Sequence, residues 1–380
     1  MASHAPGLRR RSAIGALVLS SVLLAVAGVA IDRKATADLL AEAEEDLVLL
    51  MDLRTSALEH YLETTRSEVV LWSGHGPPRE LLLQFSLAWG ALGADASSAL
   101  KRLYIEDNPY PAGEKYKLID AEDGSAYSQV HAFLQSRMPA FLEIHDYYDL
   151  FLIDPDGNIL FAYFKEEDFA TNLVTGRWRD TDLGEVFRAA RDASDASFVA
   201  FSDFAPYEPS DGAAASFLAS PIRDDEDVLR GVLAIQISVG GIDEIMQFIE
   251  GVGETGETYV VGEDLLMRSD SRFSRSSTVL ETRVDTEPAR RALAGESGTD
   301  ITSDYRGVES VSAYGPLEFE GVRWAVLAEV DFAEVLAPAR RLRRALLLTS
   351  LALLALVGAA GGLGVLEPMH MWRAADEVGG

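Results

Sequence analysis

The sequence predicts an α+β chain of two similar antiparallel-sheet modules in tandem, carried on a long N-terminal helix and flanked by two transmembrane helices. Three observations predict it: a β-hairpin signature at residues 147–164, a weaker copy at residues 257–273, and two long uncharged runs near the ends of the chain. In YYDLFLIDPDGNILFAYF both arms are apolar and alternating, and Asp154, Pro155, Asp156, Gly157 and Asn158 supply the residue types a tight reversal needs. In ETYVVGEDLLMRSDSRF, Tyr259-Val260-Val261 stands for the first arm, Gly262-Glu263-Asp264 for the turn and Leu265-Leu266-Met267 for the second. The echo continues downstream. Residues 216–222, 231–238 and a short IDEIM follow the first hairpin; residues 310–317, 323–330 and FAEVL follow the second. Strand, turn, strand, long excursion, strand, strand, helix, twice over, is a tandem repeat of one unit.

Composition limits what such a tandem can do. With 380 residues, 48% of them hydrophobic, the chain can bury two ordinary cores. Residues 32–339 hold 25 basic against 58 acidic side chains, a formal −33, which repels nucleic acid and anionic headgroups. Without cysteine there is no disulfide framework, thiolate metal site or cysteine nucleophile.

Taken from the start, residues 1–11 end in Arg9-Arg10-Arg11 and form a cytoplasmic N-terminus, and the uncharged run 12–31 is long enough to cross a bilayer. A cleaved signal peptide competes with that anchor, since Ala25-Val26-Ala27 and Gly28-Val29-Ala30 both resemble cleavage sites. Residues 345–366 form the second span and 367–380 a short cytoplasmic tail. The arginine triplet places residues 32–339 outside the inner (plasma) membrane in a two-pass topology, and Arg340, Arg341, Arg343 and Arg344 then lie at the outer headgroups. Within residues 32–144, a helix from about 35 to 73 carries the apolar stripe Leu40, Leu47, Leu50, Leu58, Tyr61, Leu62, Thr65 and Val69. Residues 74–78 break it, a second helix follows from 79 to 103, and a third from 125 to 144 must kink or split at Pro139. The stripe is expected to pair two copies in a parallel homodimer, with Leu47, Leu50 and Leu58 in the seam.

In this order of motifs the chain resembles the double Cache domain, the extracytoplasmic sensor of prokaryotic chemoreceptors, histidine kinases and nucleotide or diguanylate cyclases. The stretches that carry the resemblance are YYDLFLIDPDGNILFAYFKEEDFATNLVTG, SDFAPYEPSDGAAASFLASPI and GETGETYVVGEDLLMRSDSRF. The resemblance implies two PAS-like modules, each with a five- or six-stranded antiparallel sheet: a membrane-distal one at 145–250 that binds ligand and a membrane-proximal one at 251–338. It also implies dimerisation through the long helix and a HAMP linker and output domain, which residues 367–380 do not supply; a truncated receptor, or signalling through a partner, is expected.

Nothing in the sequence argues for an enzyme or a cofactor. GVGETG at 251–256 has the spacing of a dinucleotide fingerprint but precedes a strand and sits among Glu250, Glu254 and Glu257. Asp154, Asp156 and Asn158 lack the spacing and closing glutamate of a calcium loop, and the six histidines have no metal-ligand spacing. The stretch richest in binding groups is the long excursion of the first module, residues 169–217, which the second copy shortens. There TNLVTGRWRDTDLG offers Asn172, Arg177, Trp178, Arg179 and Asp180. SDFAPYEPSDG offers Ser202, Asp203 and Tyr207, and the following strand Phe217 and Ser220. Two arginines around a tryptophan point to a small anion, a carboxylate above all, as the ligand. A docking platform for another envelope protein is the alternative use of the same pair of modules.

Overall fold

The structure, a computed structural model, describes residues 6–74, 76–248, 253–352 and 355, with side chains from residue 19 onward except at 21, 22, 24 and 25. Its contacts divide the chain into two compact units, Leu47–Val330 and a unit made of Met1–Asp46 with Asp331–Gly380. In the latter unit α1 (Pro6–Gly74) begins, and Arg343 approaches Asp32 at 3.8 Å. Leu19, Leu23, Val26, Val29, Ile31, Leu347, Leu348 and Leu351 are exposed there. Among the described residues no helix is long and apolar enough to cross a membrane. Most of the second span read from the sequence, the tail 367–380 and part of GVGETG lie outside the described residues, as do many side chains of the first span.

In the unit Leu47–Val330, α1 ends where Gly76 turns at φ 48° and the proline pair opens α2 (Pro77–Leu92). A short turn and α3 (Ala96–Lys101) continue it, so the second helix expected from 79 to 103 is split at Gly93. The third splits at Pro139: α4 (Ala126–Gln135) is N-capped by Ser125 accepting from the Ser128 amide, and α5 (Met138–His145) holds Pro139 in its first turn.

The first sheet is six-stranded. Its order is β2-β1-β6-β5-β3, with β4 also paired to β5, for β1 (Tyr147–Ile153), β2 (Ile159–Ala162), β3 (Ala200–Phe201), β4 (Ala205–Tyr207), β5 (Ala213–Arg223) and β6 (Leu229–Ile237). All its pairings are antiparallel. The turn between β1 and β2 forms as the sequence requires: Gly157 takes φ 92°, and the Asn158 amide donates to Asp154 Oδ1 at 2.8 Å. The helices α2 and α6 (Asp182–Asp192) both pack on this sheet. Consecutive residues of β1, β5 and β6 are therefore buried, as strands covered on both faces must be.

After α7 (Val239–Met246) the second sheet runs β7-β10-β9-β8, for β7 (Glu257–Val261), β8 (Gly298–Ser303), β9 (Glu309–Phe319) and β10 (Val322–Asp331), with α8 (Glu287–Leu293) packed against β9 and α9 (Phe332–Val335) following. It has four strands where the resemblance implied five or six. The second hairpin keeps its turn, with the Gly262 amide donating to the Leu266 carbonyl, but its second arm is no strand. Leu265 adopts φ 65°, and only isolated bridges remain, from Leu266 to Arg283 and from Met267 to Val261 and Val279.

The stripe on α1 is also used differently from the expected seam between copies. Leu58, Leu62 and Val69 are fully buried and Leu47, Met51 and Thr65 nearly so, covered within the chain itself. Met51 lies against Gly315 of β9, and Ser73 Oγ meets Ser220 Oγ of β5 at 2.9 Å, so one helix serves both modules. Periodicity identified the buried face correctly; the partner is the protein's own pair of sheets, and the exposed leucines are Leu49, Leu53 and Leu71.

Between the modules lies a charged joint. Arg268, only 3% exposed, donates from Nε and Nη2 to the two carboxylate oxygens of Asp203 at 2.9 and 2.8 Å, and Trp324 Nε1 donates to Asp203 Oδ1 at 2.7 Å. Phe204 stacks on Trp324, and Gly262 leaves room for the guanidinium where any Cβ would collide with it. Asp203→Asn, which strips this buried guanidinium of its bidentate carboxylate, is expected to cost about 3 kcal/mol. Urea unfolding of the full chain measures it, and replacing Arg268 by Met in the same chain should recover part of the loss.

Candidate functional site

The excursion between β2 and β5 is built on turns that its own side chains stabilise. Asn172 closes the first: its amide donates to the Asp156 carbonyl and to Asn158 Oδ1, while its Oδ1 accepts from the Val174 and Thr175 amides. Gly176 follows where a Cβ would strike the Asn172 carbonyl, and a single helical turn, Arg177–Asp180, then leads through the N-cap Thr181 into α6. That path sets Trp178 into the core, 3% exposed, with its Nε1 donating to the Glu167 carbonyl at 3.3 Å. Arg177 lies over the Trp178 ring at 4.2 Å.

Here a cleft of 360 Å3 opens, lined by Ser97, Lys101, Glu167, Thr171, Asn172, Gly176, Arg177 and Trp178. The volume suits a small metabolite. Its charges are two cations and one carboxylate, but the cations are not equivalent. Arg177 pairs with Glu167 at 3.4 Å and more closely with Glu208. Lys101, at the end of α3, forms no ion pair among the described residues. An anion entering the cleft meets a free ammonium, and a guanidinium that it must share with two glutamates.

Of the residues singled out in the sequence, the structure brings Asn172, Arg177 and Trp178 together in this cleft. Arg179 and Asp180 stand one turn on and pair with each other at 3.1 Å, exposed. Tyr207 and Phe217 are buried behind the excursion, ring centroids 4.9 Å apart. Ser202 ties the excursion to β5, its Oγ accepting from the Phe217 amide at 3.0 Å. Asp203 and Ser220 are committed elsewhere, to Arg268 and to Ser73. Lys101 and Ser97 could not be found from the excursion, because they come from the helical layer more than sixty residues earlier. Glu167 and Thr171 lie within EEDFATN, where nothing local distinguishes them from the neighbouring acidic and polar residues.

Behind the cleft sits a buried carboxyl. Asp168, 1% exposed, accepts from the Tyr207 hydroxyl at 2.6 Å, while its other oxygen has no partner. Burial pushes it up to about 7, with the Tyr207 hydrogen bond and the Lys101 charge drawing it partly back. Because the folded value stands above the unfolded one of about 3.9, its contribution to stability is complete below that pH and lost as pH rises through 7. Asp168→Asn is therefore expected to flatten the decline in melting temperature between about pH 5 and 8, and to melt above the parent at the upper end. Calorimetry across that range is the check.

The family comparison agrees with the architecture. The family model for the Cache domain, of the double Cache type, matches residues 36–339. No curated protein matches the chain in sequence. Among similar solved structures, the periplasmic sensory domain of the Campylobacter jejuni chemoreceptor Tlp1 shares 14% identity over 79% of this chain and 99% of its own, with a TM-score of 0.39. The ligand-binding domain of the Pseudomonas aeruginosa PAO1 amino acid chemoreceptor PctC in complex with GABA shares 16% over 64% and 97%, with a TM-score of 0.37. That of the Pseudomonas fluorescens chemoreceptor CtaA in complex with L-serine shares 13% over 73% and 96%, with a TM-score of 0.35. With a long N-terminal helix, antiparallel sheets and a family match over most of its length, the chain belongs to the double Cache family of extracytoplasmic sensor domains.

Proposed function

We propose that the chain is a membrane-anchored sensor, held by spans at 12–31 and 345–366, that binds a small carboxylate or other anion in the cleft of its first, PAS-like module. The observation that carries the ligand class is Lys101, a cation lining a metabolite-sized cleft beside Arg177 and Trp178 and lacking an ion pair among the described residues. In a region of formal charge −33, such a cation is a local exception that an anionic ligand would exploit. Anchoring is supported by the length of the two uncharged runs and by the exposed leucines and valines from Leu19 to Ile31.

Transmission follows from continuity. The excursion that carries Arg177 and Trp178 also carries Asp203, so a ligand that repositions the excursion acts on the second module through Arg268 and Trp324. It shifts the receptor only if it binds the two arrangements with different affinity. The second module leads through α9 toward the second span.

A thermal-shift screen of the full chain in detergent, against mono-, di- and tricarboxylates and inorganic phosphate, tests the reading. At least one anion is expected to stabilise the protein by about 2.7 kcal/mol at a hundredfold excess over its dissociation constant. Lys101→Ala should raise the apparent dissociation constant for that anion roughly tenfold or more. If no anion stabilises the chain, or if the response survives Lys101→Ala unchanged, the ligand class is wrong.

A further inference from the structure

A larger cleft, of 680 Å3, lies on the other side of the first module between α1, the junction of α5 and β1, and the end of α7. It shares no lining residue with the anion cleft. Its walls are apolar, from Leu53 and Ala57 of α1 to Ile245 and Phe248, and polar groups stand at two places along them.

The first polar group is Arg54. It is 6% exposed, yet it forms no ion pair among the described residues. One Nη donates to the Phe248 carbonyl at 2.7 Å and the guanidinium lies over the Phe248 ring, but Nε is buried without a partner. A buried guanidinium without a carboxylate is costly, and an anion received at the cleft relieves that cost. The second place is two turns on, about 10 Å along the helix axis. There the Tyr61 hydroxyl is buried without a partner. Gly241 packs so closely that a Cβ would meet both Asp146 Oδ2 and the Tyr61 hydroxyl, so these two groups converge on one spot. Asp146 and Glu244 line the cleft there, and neither forms an ion pair among the described residues. Glu68, further on, is already engaged by Tyr147 and His145. Burial, and then repulsion from Glu244, push Asp146 up, the strain that an arriving cation relieves.

We infer that this cleft is a second ligand site, for a small zwitterion whose carboxylate meets Arg54 and whose ammonium group, about 10 Å away, meets Tyr61, Asp146 and Glu244. Neither charge alone fits. A simple anion faces the unpaired carboxylates, and a simple amine leaves Arg54 uncompensated. The apolar walls between the two ends favour a methylene or similarly apolar spacer.

Titration calorimetry of the full chain in detergent, with 8-aminooctanoate, octanoate and octylamine at one ionic strength, tests it. The zwitterion is expected to bind at least roughly tenfold more tightly than either singly charged probe, and Arg54→Gln and Asp146→Asn each to weaken it by a similar factor. Lys101→Ala should leave it unchanged, which separates this site from the anion cleft. Should Arg54→Gln not fold, the exposed Asp146→Asn decides. Equal binding of the three probes, no binding of 8-aminooctanoate, or binding indifferent to Asp146→Asn overturns the assignment.

Discussion

The buried guanidinium of Arg268 sets a condition that the rest of this protein has to meet. A guanidinium that is 3% exposed is costly without a carboxylate, and the one that answers it bidentately comes from the other module. Asp264 adds a second contact at 3.0 Å from within the same module. Trp324 spends its only donor on Asp203 as well, and Phe201 and Phe204 close over the indole. The joint thus combines charge, a directed hydrogen bond and aromatic packing at one loop tip. The excursion of the first module is held at both ends, by the Asn172 turn near the cleft and by Asp203 on the second sheet. The segment between these two anchors is packed, with α6 lying against β5 and β6.

A second constraint is α1. One face of this helix serves two sheets, with Met51 and Arg66 against the second module and Ser73 against the first. Trp72 gathers Phe141, His145 and Tyr147 around it, so the junction of α5 and β1 is fixed to the helix. Two modules that each pack on the same rod have a defined spacing along it, and the Asp203 joint fixes them across it. A change confined to one module then has to be accommodated by sliding against α1 or by breaking the joint, and the second costs more.

Local signals were legible in the sequence and partners were not. The first hairpin and the breaks at residues 74–78 and Pro139 follow from rules that act within a few residues, and they appear in the structure. Asn172, Arg177 and Trp178 were found together because seven residues of turn bring them together. Lys101 gave no local sign, since only packing of α3 under the excursion makes it a neighbour of Trp178. Asp203 looked like a binding group because a lone aspartate between aromatics reads the same whether it waits for a ligand or for an arginine 65 positions on. The stripe on α1 failed in the same way: a 3.6-residue period says that a face is buried, and does not say by what. The second arm of the second hairpin was lost to a tertiary demand, the chain turning at Leu265 to bring Arg268 beneath Gly262.

The repeat is also visible in what the two sheets bury. In the first, Asp149 of β1 stands opposite Gln236 of β6; in the second, Glu257 of β7 stands opposite Glu329 of β10. Both positions pair the opening strand of a module with its closing strand, and all four side chains are nearly inaccessible. The first module solves the problem with one carboxylate and one amide, and backbone amides of Leu150, Tyr163 and Phe164 satisfy Asp149. The second keeps two carboxylates. Glu257 accepts from Ser271 and Tyr305, and Glu329 from Tyr259 and Ser312. Two acids facing each other in a dry sheet cannot both ionise cheaply, and burial pushes Glu329 up to about 7 while the Tyr259 and Ser312 hydroxyls draw it back. A carboxyl raised in this way takes up a proton on folding, so its stabilising contribution is whole in acid and fades as pH rises through neutrality. Burial pushes Asp149 well up too, so each module buries, between its opening and closing strands, a carboxyl whose uncharged form folding favours.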